Sequence, residues 1–582
     1  MEEDGGDGLL GRLVTGAAGP AVGGLVAAVE GGFVWARTRA VLPVPALEAP
    51  LADLSATVGI PLNLVKFAAA MYGAYLLAIP NRWLPGPAAR HVWAAAGGVF
   101  LLQFVFGGAW LHLALTSAVV YILNAATLRV RALDGWRHWV AAVFSFTYLT
   151  VMHYLRLWTH VDATSMDWVV VQMVSIIKLY TFCYNLHDGV VDGATNDARI
   201  AVLTAKMSSA GGSGGAAHSS ASRELRVLRD RSARALRTLP SPLEYAGYVF
   251  NFTSVFVGPG FEVSEYLAAQ RRSNADIAMA RRIPVALAKA GVATACVVLS
   301  QVITRHLPLD DIYTDAVAGV LSVPAQVAKA HVAMVAVRMG YYFVWRLAEG
   351  ASVMAGYGYR PDAPAGAGAA EVWDGVTNVK LMAVETATSM AGAMRDWNCF
   401  TQSWLERYIF QRAPRAGEFN RWITFAASAF WHGLFPGYYL GFASVPILAT
   451  ASRNFYAALR PHVAPAGYNK ASLEYRVYTV LKWAVTHAAF DYSLVVFVMY
   501  DWPRATGVWR AWHYYGHIGA LVLYAIAFVA ARIPSARVVA PVAGAAPAAA
   551  PAAAPATIAP APAPPSSTTR RRPASPSTKK IE

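Results

Sequence analysis

The chain has 582 residues, 56% of them hydrophobic and only 14% charged, against roughly 25% charged in soluble domains. That balance excludes an ordinary soluble protein and points to a polytopic membrane protein. The formal charge of +15 does not argue for nucleic acid, because the basic residues fall in connecting segments between apolar runs rather than on one folded face.

Residues 1–55 read as a Gly/Ala-rich lead-in with one interfacial helix near 20–38. Met1 to Gly8 is acidic and lacks the basic start of a cleaved signal peptide, so the first span is expected to direct insertion. Apolar runs follow at about 61–80, 91–106, 109–127, 137–153, 167–183, 284–304, 331–348, 376–394, 420–448, 474–500 and 517–532. Each approaches the roughly 20 residues that cross the hydrocarbon core as a helix. The expected fold is an all-α polytopic membrane protein of about 11 transmembrane helices over residues 56–532, with 167–183 and 313–328 as re-entrant or interfacial segments. Few charged residues interrupt these runs.

Residues 205–240 read as a flexible basic loop. Its Gly/Ser part ends near 222, and Arg223 to Leu239 forms an Arg-rich amphipathic stretch expected on a membrane surface. Residues 533–582 form a Pro/Ala-rich tail expected to be disordered. Basic residues concentrate at Arg223 to Arg237, Arg271 to Arg282, Arg407 to Arg421 and Arg570 to Lys580. The positive-inside bias places these segments, and the C-terminus, in the cytosol; the acidic Asp310-Asp311 turn fits the opposite side. Lys579 and Lys580, third and fourth from the end, resemble the dilysine signal that returns membrane proteins to the endoplasmic reticulum. Cys183, Cys296 and Cys399 have no metal-binding spacing, so neither a zinc site nor a disulfide framework is expected. The sequon at Asn251 lies in an apolar stretch and is expected to be unused.

The chemistry concentrates in two segments. Trp431-His432-Gly433-Leu434-Phe435-Pro436-Gly437-Tyr438 places a histidine and a Gly/Pro turn inside a long apolar run. Ionisable groups at membrane depth are functional candidates, and a neutral histidine is both the cheapest to bury and able to act as a base. Upstream, Arg395-Asp396-Trp397-Asn398-Cys399-Phe400-Thr401-Gln402-Ser403-Trp404-Leu405 puts Asn398, Thr401 and Gln402 on one helical face. A base beside an oriented polar group is what acyl transfer to a hydroxyl requires. Taken by themselves, the same residues also fit polar groups bonding between membrane helices.

The two runs, Trp-His-Gly-x-x-Pro-Gly-Tyr-Tyr-x-x-Phe preceded by Trp-Asn-x-x-Thr-x-x-Trp-Leu, resemble the lysophospholipid acyltransferase branch of the membrane-bound O-acyltransferase (MBOAT) family. Glu371 to Val379, which contains Trp373, Asp374 and Asn378, resembles the family's Trp-Asp motif. Ser241 to Tyr248, Gly258 to Glu262 and Tyr184 to Gly189 resemble further segments, whereas Trp509 to His517 meets a late motif only loosely. The resemblance implies an MBOAT-like bundle with His432 as catalytic base and Asn398 as the second active-site residue, orienting either the imidazole or the reacting groups. Trp373, Asp374, Asn378, Glu385, Trp397, Thr401, Trp431 and Tyr438 are expected to support the site or bind substrate. Arg412 and Arg415, in the loop between the two segments, are expected to attract the phosphates of acyl-CoA. No metal and no cofactor are expected beyond acyl-CoA as co-substrate.

The implied reaction transfers a fatty acyl group from acyl-CoA to the free glycerol hydroxyl of a lysophospholipid, such as lysophosphatidylcholine, in the endoplasmic reticulum membrane. A neutral-lipid (sterol or diacylglycerol) or protein O-acyltransferase of the same family is the alternative enzyme, and a membrane transporter with a structural histidine is the alternative outside enzymes. The His-x₄-Asp spacing from His187 to Asp192 matches another acyltransferase family but lacks that family's other motifs.

Overall fold

The computed structural model describes residues 45–158, 166–209, 216–258, 260–272, 279–360, 368, 372–413, 419–463 and 471–532. The expected interfacial helix near 20–38, Arg415, Glu371 and the tail with its two terminal lysines lie outside them. Among the described residues every regular element is helical and no strand occurs, because a helix satisfies its own backbone hydrogen bonds where lipid offers none. The chain is therefore an all-α polytopic membrane protein.

Five described helical stretches are long and apolar enough to cross a membrane: Leu62–Arg82, Gly86–Thr127, Arg137–Trp158, Val169–Val190 and Arg281–Ala318. A sixth arises if Trp502–Ala511 and Tyr515–Ala530, bent by 57° at their junction, form one span. The expected count of about 11 is thus not confirmed. Several of the remaining runs are helical but carry charge inside them. Val323–Ala355 holds Lys329, Arg338, Arg346 and Glu349, and Leu473–Met499 holds Lys482 and Asp491. The run at 420–448 is two helices, Phe419–His432 and Pro436–Val463, broken at Gly433.

Two expectations are corrected by packing. Residues 167–183 are no re-entrant segment: Val169–Val190 is one continuous helix, buried at every position from Ser175 to Gly189. It runs through the larger core, which also holds Tyr248, Phe252 and Phe261, and its Phe182 ring meets Tyr245 at 4.7 Å between centroids. The 205–240 segment is not a single loop either. Gly193–Ser209 and Ala216–Arg234 are helices that pair through Leu203, Ala221, Leu225 and Leu228. The apolar face expected on lipid is covered by this partner helix. A second core gathers Met334, Tyr492, Val495, Val496, Trp509 and Trp512 near the end of the described chain.

Charges inside the bundle are more numerous than the sequence suggested, and they are satisfied internally. Arg338, fully buried, binds Glu385 through Nε at 2.8 Å and Asp491 through Nη1 at 2.6 Å. Asp491 also meets His331, and the Tyr342 hydroxyl donates to Glu385 at 2.7 Å. Lys178 is held by neutral groups, the Ser254 hydroxyl at 2.9 Å and the Val249 carbonyl at 3.3 Å. A buried charge persists only when it is bonded in this way. Asn251 is buried with its amide donating to the Tyr357 hydroxyl at 2.7 Å, so its sequon is out of reach.

Candidate active site

His432 closes the helix Phe419–His432. The chain then turns through Gly433 at φ 129°, a conformation that side chains rarely adopt, and a Cβ there would lie 3.0 Å from the His153 ring. It re-enters a helix at Pro436, and the Gly437 amide donates to the Tyr500 carbonyl at 2.7 Å. A Cβ on Gly437 would sit 2.3 Å from the Val496 carbonyl oxygen, so only glycine permits this close crossing. The turn thereby presses the histidine against Leu473–Met499.

The His432 ring is walled by aromatic side chains. Ring centroids lie 4.6 Å away for Trp431, 4.9 Å for Phe497, 5.2 Å for Phe442 and 5.6 Å for Tyr438. No hydrogen bond to the ring occurs among the described residues, and the side chain is only half-buried. Its neighbour carries the anchoring: the Trp431 indole donates to the Met173 carbonyl at 2.7 Å, and His153 Nε2 lies 3.3 Å from the Trp431 carbonyl. The ring nitrogens thus keep their lone-pair and donor capacity uncommitted among the described residues.

Asn398 is built in the opposite way. It precedes the short helix Cys399–Trp404 at φ 45°, one of four non-glycine residues with positive φ among the described residues. The left-handed conformation costs a side-chain-bearing residue about 1–2 kcal/mol, and asparagine is among the few that visit it. Its carboxamide does not cap the helix that it starts. Trp397 beside it packs against Trp345 at 4.9 Å, Tyr341 at 5.5 Å and Phe490 at 6.0 Å. Thr401 is buried on the first turn. Trp404, at the end of that short helix and almost fully buried, meets Trp431 at 6.2 Å between centroids. That contact joins the Asn398 helix to the His432 helix.

The remaining expected residues sort by partner. Asn378 touches the Asn398 segment directly, its side-chain oxygen accepting the Phe400 amide at 3.0 Å. Trp373, buried, packs on Tyr359 at 5.2 Å, and Asp374 pairs with Arg360 at 3.1 Å. Glu385 is bound by Arg338 and Tyr342 and belongs to the buried ionic network. Arg412 is already engaged: its guanidinium grips the buried Asp188 and lies 4.9 Å over the Tyr184 ring. In the structure its charge is engaged by this buried partner. Arg407 likewise pairs with Asp230 at 3.2 Å. Tyr408 completes this joint by donating to Asn185 at 2.7 Å, and Asn185 in turn donates to Glu262 at 2.9 Å.

Sequence reasoning missed Phe497, Tyr500, His153 and Glu349. The first three lie far from the motif in sequence and are brought to it only by packing. Glu349, a carboxylate at the edge of an apolar run, carried a signal of its own.

The helical bundle and its aromatic-walled histidine define an integral-membrane protein with a half-buried histidine at a helix break. The profile of MBOAT, the membrane-bound O-acyltransferase family, matches residues 100–495, and the chain belongs to that family. Over 499 residues it is 27% identical to membrane-bound glycerophospholipid O-acyltransferase 1 of Homo sapiens, covering 81% of this chain and 90% of that protein. It is 24% identical over 493 residues to lysophospholipid acyltransferase 6 of Drosophila melanogaster, covering 81% of this chain and 62% of the relative. A lysophospholipid acyltransferase of Schizosaccharomyces pombe is 28% identical over 309 residues, 50% of this chain and 59% of the relative.

Proposed function

We propose that the protein is an acyl-CoA-dependent lysophospholipid O-acyltransferase that remodels phospholipid chains. The observation that carries this reading is the aromatic-walled imidazole of His432, without a hydrogen bond to its ring among the described residues and on a helix joined to the Asn398 helix by the Trp404–Trp431 contact. The names of its relatives supply the substrate class: glycerophospholipid and lysophospholipid acyltransferases.

His432 takes the proton from the free glycerol hydroxyl as that oxygen attacks the thioester carbonyl carbon. The new ester C–O bond forms, the C–S bond breaks, and the CoA thiolate leaves and recovers the proton from the imidazolium. A positioned base contributes about 10²–10⁴-fold. Aromatic walls around the ring keep water from the thioester, which limits wasteful hydrolysis. Asn398 orients the reacting groups or the oxyanion through its uncommitted carboxamide. The positive-inside bias of the basic segments supports a cytosolic entry for acyl-CoA and a cytosolic C-terminus, with the endoplasmic reticulum as the membrane.

The test is direct. Microsomes holding the protein are supplied with labelled oleoyl-CoA and a panel of lysophospholipids, with sterol and diacylglycerol as competing acceptors. Transfer to a lysophospholipid that disappears in His432→Ala supports the reading. Transfer to a neutral lipid alone, or none in the presence of acyl-CoA, overturns it.

A further inference from the structure

Asn398 holds an unfavourable backbone conformation without using its own side chain to cap the helix that it begins. A helix start leaves amides that need acceptors, and here two of them are met by Asn378, well upstream in the chain. The Cys399 amide donates to the Asn378 backbone carbonyl at 2.7 Å, and the Phe400 amide donates to the Asn378 side-chain oxygen at 3.0 Å. A further bond lies on the other side of Asn398, where the Lys380 amide donates to the Asp396 carbonyl at 3.0 Å. The pair Trp397-Asn398 is thus bracketed, and the backbone between the brackets has little freedom to relax.

Asn378 is itself fixed from behind. Its amide and that of Val379 both donate to one oxygen of Glu349, at 2.7 and 3.2 Å. Glu349 is fully buried on the helix Val323–Ala355. Its other oxygen receives Lys289 at 2.6 Å and Arg346 at 2.9 Å. A buried carboxylate with both oxygens filled has one position, and it transmits that position through the two amides.

We infer that Glu349 and Asn378 form a positioning clamp that holds Asn398 left-handed and leaves its carboxamide free for the reacting groups. Asn378 replaces the cap that Asn398 would otherwise supply, so the two asparagines act in complement. Asn378 satisfies the helix start, and Asn398 faces the chemistry. The inference rests on the role of Asn398 proposed above, and it makes Asn378 and Glu349 positioning residues that need not touch substrate.

The experiment is a double-mutant cycle on the full-length protein in microsomes, reading turnover and both KM values, with thermal unfolding in detergent as the control for folding. Since a displacement of about 1 Å can cost roughly 10²-fold, Asn378→Leu is expected to lower kcat by about that factor, with both KM values within about 3-fold. Asn378→Asp keeps an oxygen for the Phe400 amide and should retain most of the turnover. In an Asn398→Ala background, Asn378→Leu should add less than about 3-fold, because the group it positions is already gone. If Asn378→Leu does not fold, Asn378→Ala takes its place in the cycle. Additive losses, an Asp variant as inactive as the Leu variant, or wild-type turnover in the Leu variant would each overturn the clamp while leaving the proposed function intact. Wild-type turnover in Asn398→Ala alone would remove the assigned role of Asn398 and the clamp with it.

Discussion

The two halves of the candidate site are held by opposite means. Around His432 there is no hydrogen bond to the ring among the described residues, only aromatic faces from Trp431, Tyr438, Phe442 and Phe497. Around Asn398 the backbone is pinned by amides and carbonyls from Asn378 and Lys380. The difference fits the roles proposed for the two residues. A base needs a free nitrogen in apolar surroundings, so it is positioned by shape. An amide that orients other groups must keep its own carboxamide free, so its backbone is fixed by bonds to other residues.

The comparison is broken most severely at the base. His432→Ala should lower turnover by about 10³-fold or more, within the usual range for a general base, with expression and insertion unchanged. Near-wild-type turnover of the purified variant would leave the aromatic cage without a purpose. Asn398→Ala should reduce turnover by about 10²-fold, as for a lost preorganised donor. Asn398→Asp should fail too, since it replaces the amide donor with a charge in a poorly hydrated site. Activity retained in both would make the pinned segment purely architectural.

A smaller effect should sharpen the contrast. Phe497→Leu removes an aromatic wall but no hydrogen bond, so the ring can tilt; a loss of about 10-fold in kcat with unchanged KM is expected. A loss in KM alone would assign Phe497 to acyl-chain binding instead. The smallest kinetic effect belongs to Arg412, whose charge is engaged by Asp188. Arg412→Gln should lower the unfolding temperature while leaving the acyl-CoA KM within about 2-fold. A raised KM with unchanged stability would return Arg412 to the acyl-CoA access role.

Much of the candidate site was legible because its residues fall into two short segments. Trp431 to Tyr438 and Trp397 to Trp404 each read as polar groups set among aromatic residues, and the Gly433 and Gly437 turn was visible as a break in an apolar run. The span count was less legible. Hydropathy cannot tell a lipid-facing helix from a buried one, and the charges of Val323–Ala355 and Leu473–Met499 become tolerable only through partners on other elements. Arg412 looked like a surface charge for the same reason, since Asp188 stands 224 positions away.

Composition and apolar run length determined by themselves that this is a helical membrane protein, because backbone groups in lipid have no alternative to internal hydrogen bonding. The local motifs determined which residues are candidates for chemistry. Tertiary structure alone decided their surroundings. It chose the aromatic residues that wall His432, set Asn398 left-handed through Asn378 and Glu349, and turned Arg412 inward. Those outcomes depend on contacts between elements far apart in the chain, and local sequence carries no record of which distant group will satisfy a buried charge or amide.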